Sequence, residues 1–97
     1  MIKNILGVRK VGNNYQTKIS LRGKDISLGT YYNEEAAAVI YNHIAKIIGD
    51  KPINENITMN LEEAEKYRTE LSKKLNGNRL YFLLRENVIN PWEINKR

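Results

Sequence analysis

Three short alternating strands joined by tight turns, followed at once by one helix, leave few folds open to this chain. The stretch covers residues 7–41 and opens on Gly7-Val8-Arg9, turning at Gly12-Asn13-Asn14. It continues as Tyr15-Gln16-Thr17-Lys18-Ile19-Ser20-Leu21. Here Tyr15, Thr17, Ile19 and Leu21 fall on one side and Gln16, Lys18 and Ser20 on the other, the period of a strand with one buried face. A second turn at Arg22-Gly23-Lys24 leads into Ile26-Ser27-Leu28-Gly29-Thr30-Tyr31, with Ile26 and Leu28 inward and Asp25 and Ser27 outward. In the first strand Leu6 and Val8 match the inward set and leave Arg9 on the polar face. The Gly and Asn residues of both turns tolerate the positive φ that tight hairpins need. The pattern predicts an antiparallel meander with one face to cover.

The period changes at Asn33, an N-cap residue followed by Glu34 and Glu35, which suit the positive end of a helix dipole. The helix is expected to run to about Ile48 and stop at Gly49, with Pro52 beyond. Ala37, Tyr41, Ile44 and Ile48 make one stripe, and Ala36, Ile40 and Ile47 a second, interrupted by His43. Small alanines let this helix sit close on the sheet. The stripe is wider than a three-stranded sheet can cover, so another element must pack on it. Asn60 with Glu63 resembles a capping box, and predicts a second helix running to about Leu75, before Asn76-Gly77. Leu61, Ala64, Tyr67, Leu71 and Leu75 are its narrow apolar stripe. Leu80-Tyr81-Phe82-Leu83-Leu84 reads equally as a buried strand or a short helix, and Pro91-Trp92-Glu93-Ile94 is too apolar for a solvated tail. The fold class expected is α+β: a three-stranded antiparallel sheet packed on one α-helix, followed by a mainly helical C-terminal extension. Residues 1–54 form the sheet-and-helix unit, and residues 55–97 an extension that packs on the first helix or dimerises.

Ninety-seven residues make one domain, or a small domain with an extension. The sequence has no cysteine and a single histidine, His43, which leaves no raw material for disulfides, a zinc finger or a histidine dyad. Apolar runs fall short of the roughly 18 residues of a membrane span, and Met1-Ile2-Lys3-Asn4 is too short and polar for a signal peptide. The compartment expected is the cytoplasm. The acids Glu34 and Glu35, and Glu62, Glu63 and Glu65, sit where helix N-termini favour them, so no catalytic residue, cofactor or metal is expected. Net charge is +5, and it is segregated. Residues 1–33 hold six Lys or Arg against Asp25 alone, whereas residues 34–97 hold ten of each sign. The excess therefore lies on the strand region, as expected of a surface that binds phosphate.

These residues together resemble the APETALA2/ethylene-response-factor type of DNA-binding domain. The resemblance rests on Gly7-Val8-Arg9, Tyr15, Ile19 and Leu28-Gly29-Thr30-Tyr31, then Glu34-Glu35-Ala36-Ala37, Tyr41-Asn42 and a closing Gly49 followed by Ile53-Asn54. It covers residues 6–54, roughly half the chain. It implies a sheet lying in the major groove of double-stranded DNA, backed by a helix that does not touch DNA. On the matching positions the base-contacting residues are Arg9, Asn13, Gln16, Lys18, Ser20 and Ser27. Lys3, Lys10, Arg22 and Lys24 are cast as phosphate contacts, which position without reading. Plant members carry arginine and tryptophan on the outer face of the third strand where this chain has Asp25 and Ser27. They carry arginine at the position of Ser20 and an acid at that of Lys18, so their target sequences do not transfer. The role expected is that of a small transcriptional regulator of bacterial or phage type, with the extension supporting a homodimer.

A rival expectation is a mobile-element inhibitor that binds a host nucleic-acid-handling protein, such as a CRISPR effector, while repressing its own promoter. Tyr67, Leu71, Tyr81, Phe82 and Trp92 would then form the dimer or partner surface. An RNA binder ranks below both, because exposed aromatic residues for base stacking are not evident on the sheet.

Overall fold

A computed structural model of the chain describes residues 5–21, 23–49 and 51–69. Strands β1 (Val8–Val11), β2 (Asn14–Leu21) and β3 (Lys24–Tyr31) form one antiparallel sheet in the order β1-β2-β3. Helix α1 (Glu34–Ile48) crosses one face, and a short helix α2 (Leu61–Glu65) follows the connector. This is the α+β architecture that the alternation and the single change of period predict.

The β1–β2 register sets Val8 opposite Thr17, Arg9 opposite Gln16 and Lys10 opposite Tyr15. Between β2 and β3 the register slips by one: Thr17 faces Gly29, but Lys18 faces Ser27, so Leu28 is the extra residue of a bulge. Gly29 takes φ +112° there, a conformation that side-chain-bearing residues avoid. The bulge turns both Leu28 and Tyr31 inward, each fully buried, although they stand three positions apart. Plain alternation from Leu28 would have pointed Tyr31 at solvent.

Asn33 caps α1, its side-chain oxygen accepting from the Ala36 N–H at 3.0 Å, and the Gly49 N–H closes the last turn on the Ala45 carbonyl. Ala36, Ala37, Ile40 and Ile44 are fully buried against Ile19, Ile26, Leu28 and Tyr31. The alanines bring helix and sheet close enough for the buried Thr17 hydroxyl to donate to the Ala37 carbonyl at 3.0 Å. Each large aliphatic side chain buried here contributes about 1.5–3 kcal/mol. Leu6 differs from the inward role expected of it. Its side chain is 37% exposed, and the fold holds the residue by its backbone.

Helix α2 and the preceding connector cover the rest of the stripe, as its width demands: Ala64 is fully buried, and Ile57, Met59, Leu61 and Tyr67 pack against the core. Asn60 caps α2, accepting from the Glu63 N–H at 2.8 Å. The helix does not reach Leu75. It ends at Glu65, and Arg68 stands opposite Tyr31 as a bridge on the free edge of β3. The Tyr32 N–H donates to the Tyr67 carbonyl at 2.8 Å, and the Thr69 N–H to the Thr30 carbonyl at 3.0 Å. These bonds satisfy sheet-edge groups that a continuing helix would leave to solvent. Leu71, Leu75, residues 80–84 and Trp92, with the mainly helical extension expected there, lie outside the described residues. Among the described residues no helix is long and apolar enough to cross a membrane.

Candidate nucleic-acid interface

α1 packs on one face of the sheet with α2 against it, no described element covers the other face, and the residues there follow from the register. Arg9, Gln16 and Thr30 form one row across the three strands. Lys18 and Ser27 make the next row, and Ser20 and Asp25 the last. Arg9, Ser20, Asp25 and Ser27 are exposed, while Gln16, Lys18 and Thr30 are half-buried among their neighbours. Five of the six expected base contacts therefore share one face. The sixth, Asn13, is exposed in the β1–β2 turn at the rim.

The expected phosphate contacts divide differently. Lys10 pairs with Tyr15, so it alternates away from the outer face, and is exposed on the helix side of the edge strand. Lys24 pairs through its backbone with Leu21 at the β2–β3 hairpin. Lys3 and Arg22 lie outside the described residues. Of the proposed partner surface only Tyr67 is described. It is half-buried against the core.

Thr30 is the face residue that alternation misses. It reaches the outer row only because the bulge at Leu28–Gly29 resets the phase of β3. A glycine inside an otherwise regular strand was the available signal. The same reset separates Tyr31, fully buried, from Tyr32, which is 56% exposed where β3 ends. The Tyr31 hydroxyl donates to the Leu28 carbonyl at 2.8 Å and accepts from Arg68 Nη1 at 2.6 Å. The Arg68 guanidinium also lies over the Tyr31 ring, 5.4 Å from its centroid. Burial pushes the Tyr31 hydroxyl far above the usual tyrosine range, against the opposing pull of Arg68, so it stays protonated and able to donate.

Two further contacts hold the start of β1. Gly7 has φ +73° and lies against the Tyr41 ring, and the Tyr41 hydroxyl donates to the Pro52 carbonyl at 3.2 Å. Asn54, buried in the connector, bonds both backbone groups of Leu6. On the helix side a cleft of about 360 Å³ opens between α1 and the connector, beside His43, Lys46 and Ile57. Among the described residues no group of three or more His, Cys, Asp or Glu side chains converges as a metal site would require.

The outer face thus offers a guanidinium, an ammonium, an amide and hydroxyls on a rigid backing, all of them groups that pair with base edges. No protein-family model and no curated protein sequence matches the chain.

Proposed function

We propose that this chain binds duplex DNA sequence-specifically, laying the outer face of its sheet in the major groove in the manner of the APETALA2/ethylene-response-factor class, and serves as a compact transcriptional regulator. The observation that carries this reading is the segregation of the molecule. The donors stand on one sheet face, and α1 packs on the opposite one. Three strands at about 4.8 Å spacing span roughly 10 Å, which fits a major groove about 12 Å wide.

In that groove Arg9 and Lys18 donate to guanine O6 and N7, Gln16 and Asn13 pair with adenine, and Ser20, Ser27 and Thr30 accept or donate to either base type. Lys10, at the rim, contacts phosphate. The packing of Tyr67 against the core favours this reading over a partner-binding inhibitor, since it leaves only part of that ring to meet a protein target.

Selection of sites from a random duplex library tests the proposal, repeated with Arg9 and Lys18 both changed to alanine. An enriched motif that disappears in the double variant is the expected result, and an inverted repeat within it would indicate a homodimer. If no motif is enriched and binding only tracks salt, the regulator reading fails, and a host protein becomes the target to seek.

A further inference from the structure

β1 pairs with only the first half of β2: its last partner there is Thr17, opposite Val8. Beyond this point the Lys18 N–H still reaches back to the Gly7 carbonyl at 2.8 Å. By the strand period the Ser20 N–H points to the same flank, where no β1 residue stands opposite it. A cleft of about 290 Å³ opens at this margin. Lys18 and Ser20 border it from the outer face of the sheet, Tyr41 from the helix, and Lys51 from the connector. Among the described lining residues Asp25 is the single acid, against two lysines.

We propose that this margin is a subsite for a DNA backbone phosphate, held by the Lys51 ammonium group at the edge of the face from which Lys18 and Ser20 meet the bases. The inference rests on the DNA-binding reading above. A sheet that nearly fills the width of the groove has its margins against the walls, and the walls are phosphate backbone. The margin beside β1 is recessed, because that strand stops short, and its described lining carries two lysines against one acid. Lys51 enters from the connector after α1, far from Lys18 in sequence, so only the tertiary fold brings both to one cleft. Because Lys51 meets the backbone and no base, it contributes affinity without selectivity.

The test measures binding of the full chain to its selected duplex over a salt series, for the wild type, Lys51→Ala, Lys51→Arg and Lys46→Ala. Lys46 is exposed on α1, beside the helix-side cleft, and serves as the control. Loss of one phosphate contact makes the plot of log K against log salt shallower by about 0.9. That change is expected for Lys51→Ala, with the preferred sequence unaltered, while Lys51→Arg and Lys46→Ala keep the wild-type slope. Equal thermal midpoints for the variants show that none is misfolded. Parallel slopes for wild type and Lys51→Ala overturn the subsite while leaving the sheet reading intact. Inorganic phosphate that shifts the Ser20 amide resonance, combined with parallel slopes on DNA, assigns the cleft to a free anion and overturns the DNA contact. A wild-type chain without salt-dependent duplex binding removes the sheet reading and this subsite together.

Discussion

Asn42 and Asn54 bond in series, each side-chain amide pairing with the backbone of the next segment. Asn42 Oδ1 accepts from the Asn54 N–H at 2.8 Å, and Asn42 Nδ2 donates to the Asn54 carbonyl at 3.0 Å. Asn54 in turn accepts from the Leu6 N–H at 2.6 Å and donates through Nδ2 to the Leu6 carbonyl at 3.1 Å. Each amide thus acts as a strand partner would. The relay ties α1 to the connector, and the connector to the segment entering β1, in a buried setting where lost bonds are costly.

Asn54→Ala is accordingly expected to destabilise the fold by about 2–4 kcal/mol, and Asn42→Ala by about 2 kcal/mol. Urea denaturation of both single variants and the double variant checks this. Because the two residues act in one relay, the double variant should fall short of the sum by about 1 kcal/mol. Strict additivity would show two independent anchors.

Gly7→Ala is expected to cost more than Gly12→Ala, although both glycines have positive φ. At Gly12 an added Cβ meets open space, leaving only the backbone penalty of about 1 kcal/mol. At Gly7 the added Cβ falls on the Tyr41 ring, so the ring or the strand must move. Thermal unfolding of the two variants should separate them by at least about 1–2 kcal/mol, and equal losses would mean that the ring moves freely.

Tyr31→Phe removes the hydroxyl shared by the Leu28 carbonyl and Arg68. The expected loss of stability is about 1–3 kcal/mol. The bulge that these groups hold also carries Thr30 into the outer row, so affinity for the selected duplex should fall alongside stability. Binding measured well below the unfolding midpoint tests this second part, and unchanged affinity there would show that the bulge stands without the hydroxyl.

Glu35 links the start of α1 to the connector, its Oε2 accepting from the Thr58 N–H, the Met59 N–H and the Thr58 hydroxyl at 3.1, 3.2 and 3.3 Å. The backbone N–H of Thr58, and next that of Met59, hold this carboxyl below the usual glutamate range. A depressed folded value means that the contribution is present above the ordinary unfolded value, about 4.3, and is lost as pH falls through the folded one. Glu35→Gln should therefore flatten the acid limb of the stability profile below about pH 4. An acid limb identical to that of the wild type would place the linkage on other carboxylates.

Much of the frame was legible in the residues because its signals are local. The alternation from Tyr15 to Leu21 marks a half-buried strand, Asn33 with Glu34 and Glu35 marks a helix start, and Gly49 marks its end. The same alternation places Arg9, Gln16, Lys18, Ser20 and Ser27 on one face, since a two-residue period assigns faces without further information. The excess stripe on α1 likewise announced a covering element before that element could be described.

What period and propensity cannot convey is pairing between distant segments. The stripe through Leu61, Ala64 and Tyr67 continues in sequence toward Leu75, yet α2 ends at Glu65, because the unpaired edge of β3 offers Tyr67 and Thr69 better backbone partners. A register slip of one residue at Leu28 decides that Thr30 faces outward and Tyr31 inward. Lys51 joins Lys18 only because β1 stops short of Ser20 and the connector folds back beside the gap. The residues alone sufficed for the order of the elements and for most of their faces, which follow from periodicity within each segment. Where each element ends, and which charges meet across the sheet margin, was decided only by tertiary packing, since those outcomes depend on hydrogen-bond partners dozens of residues away.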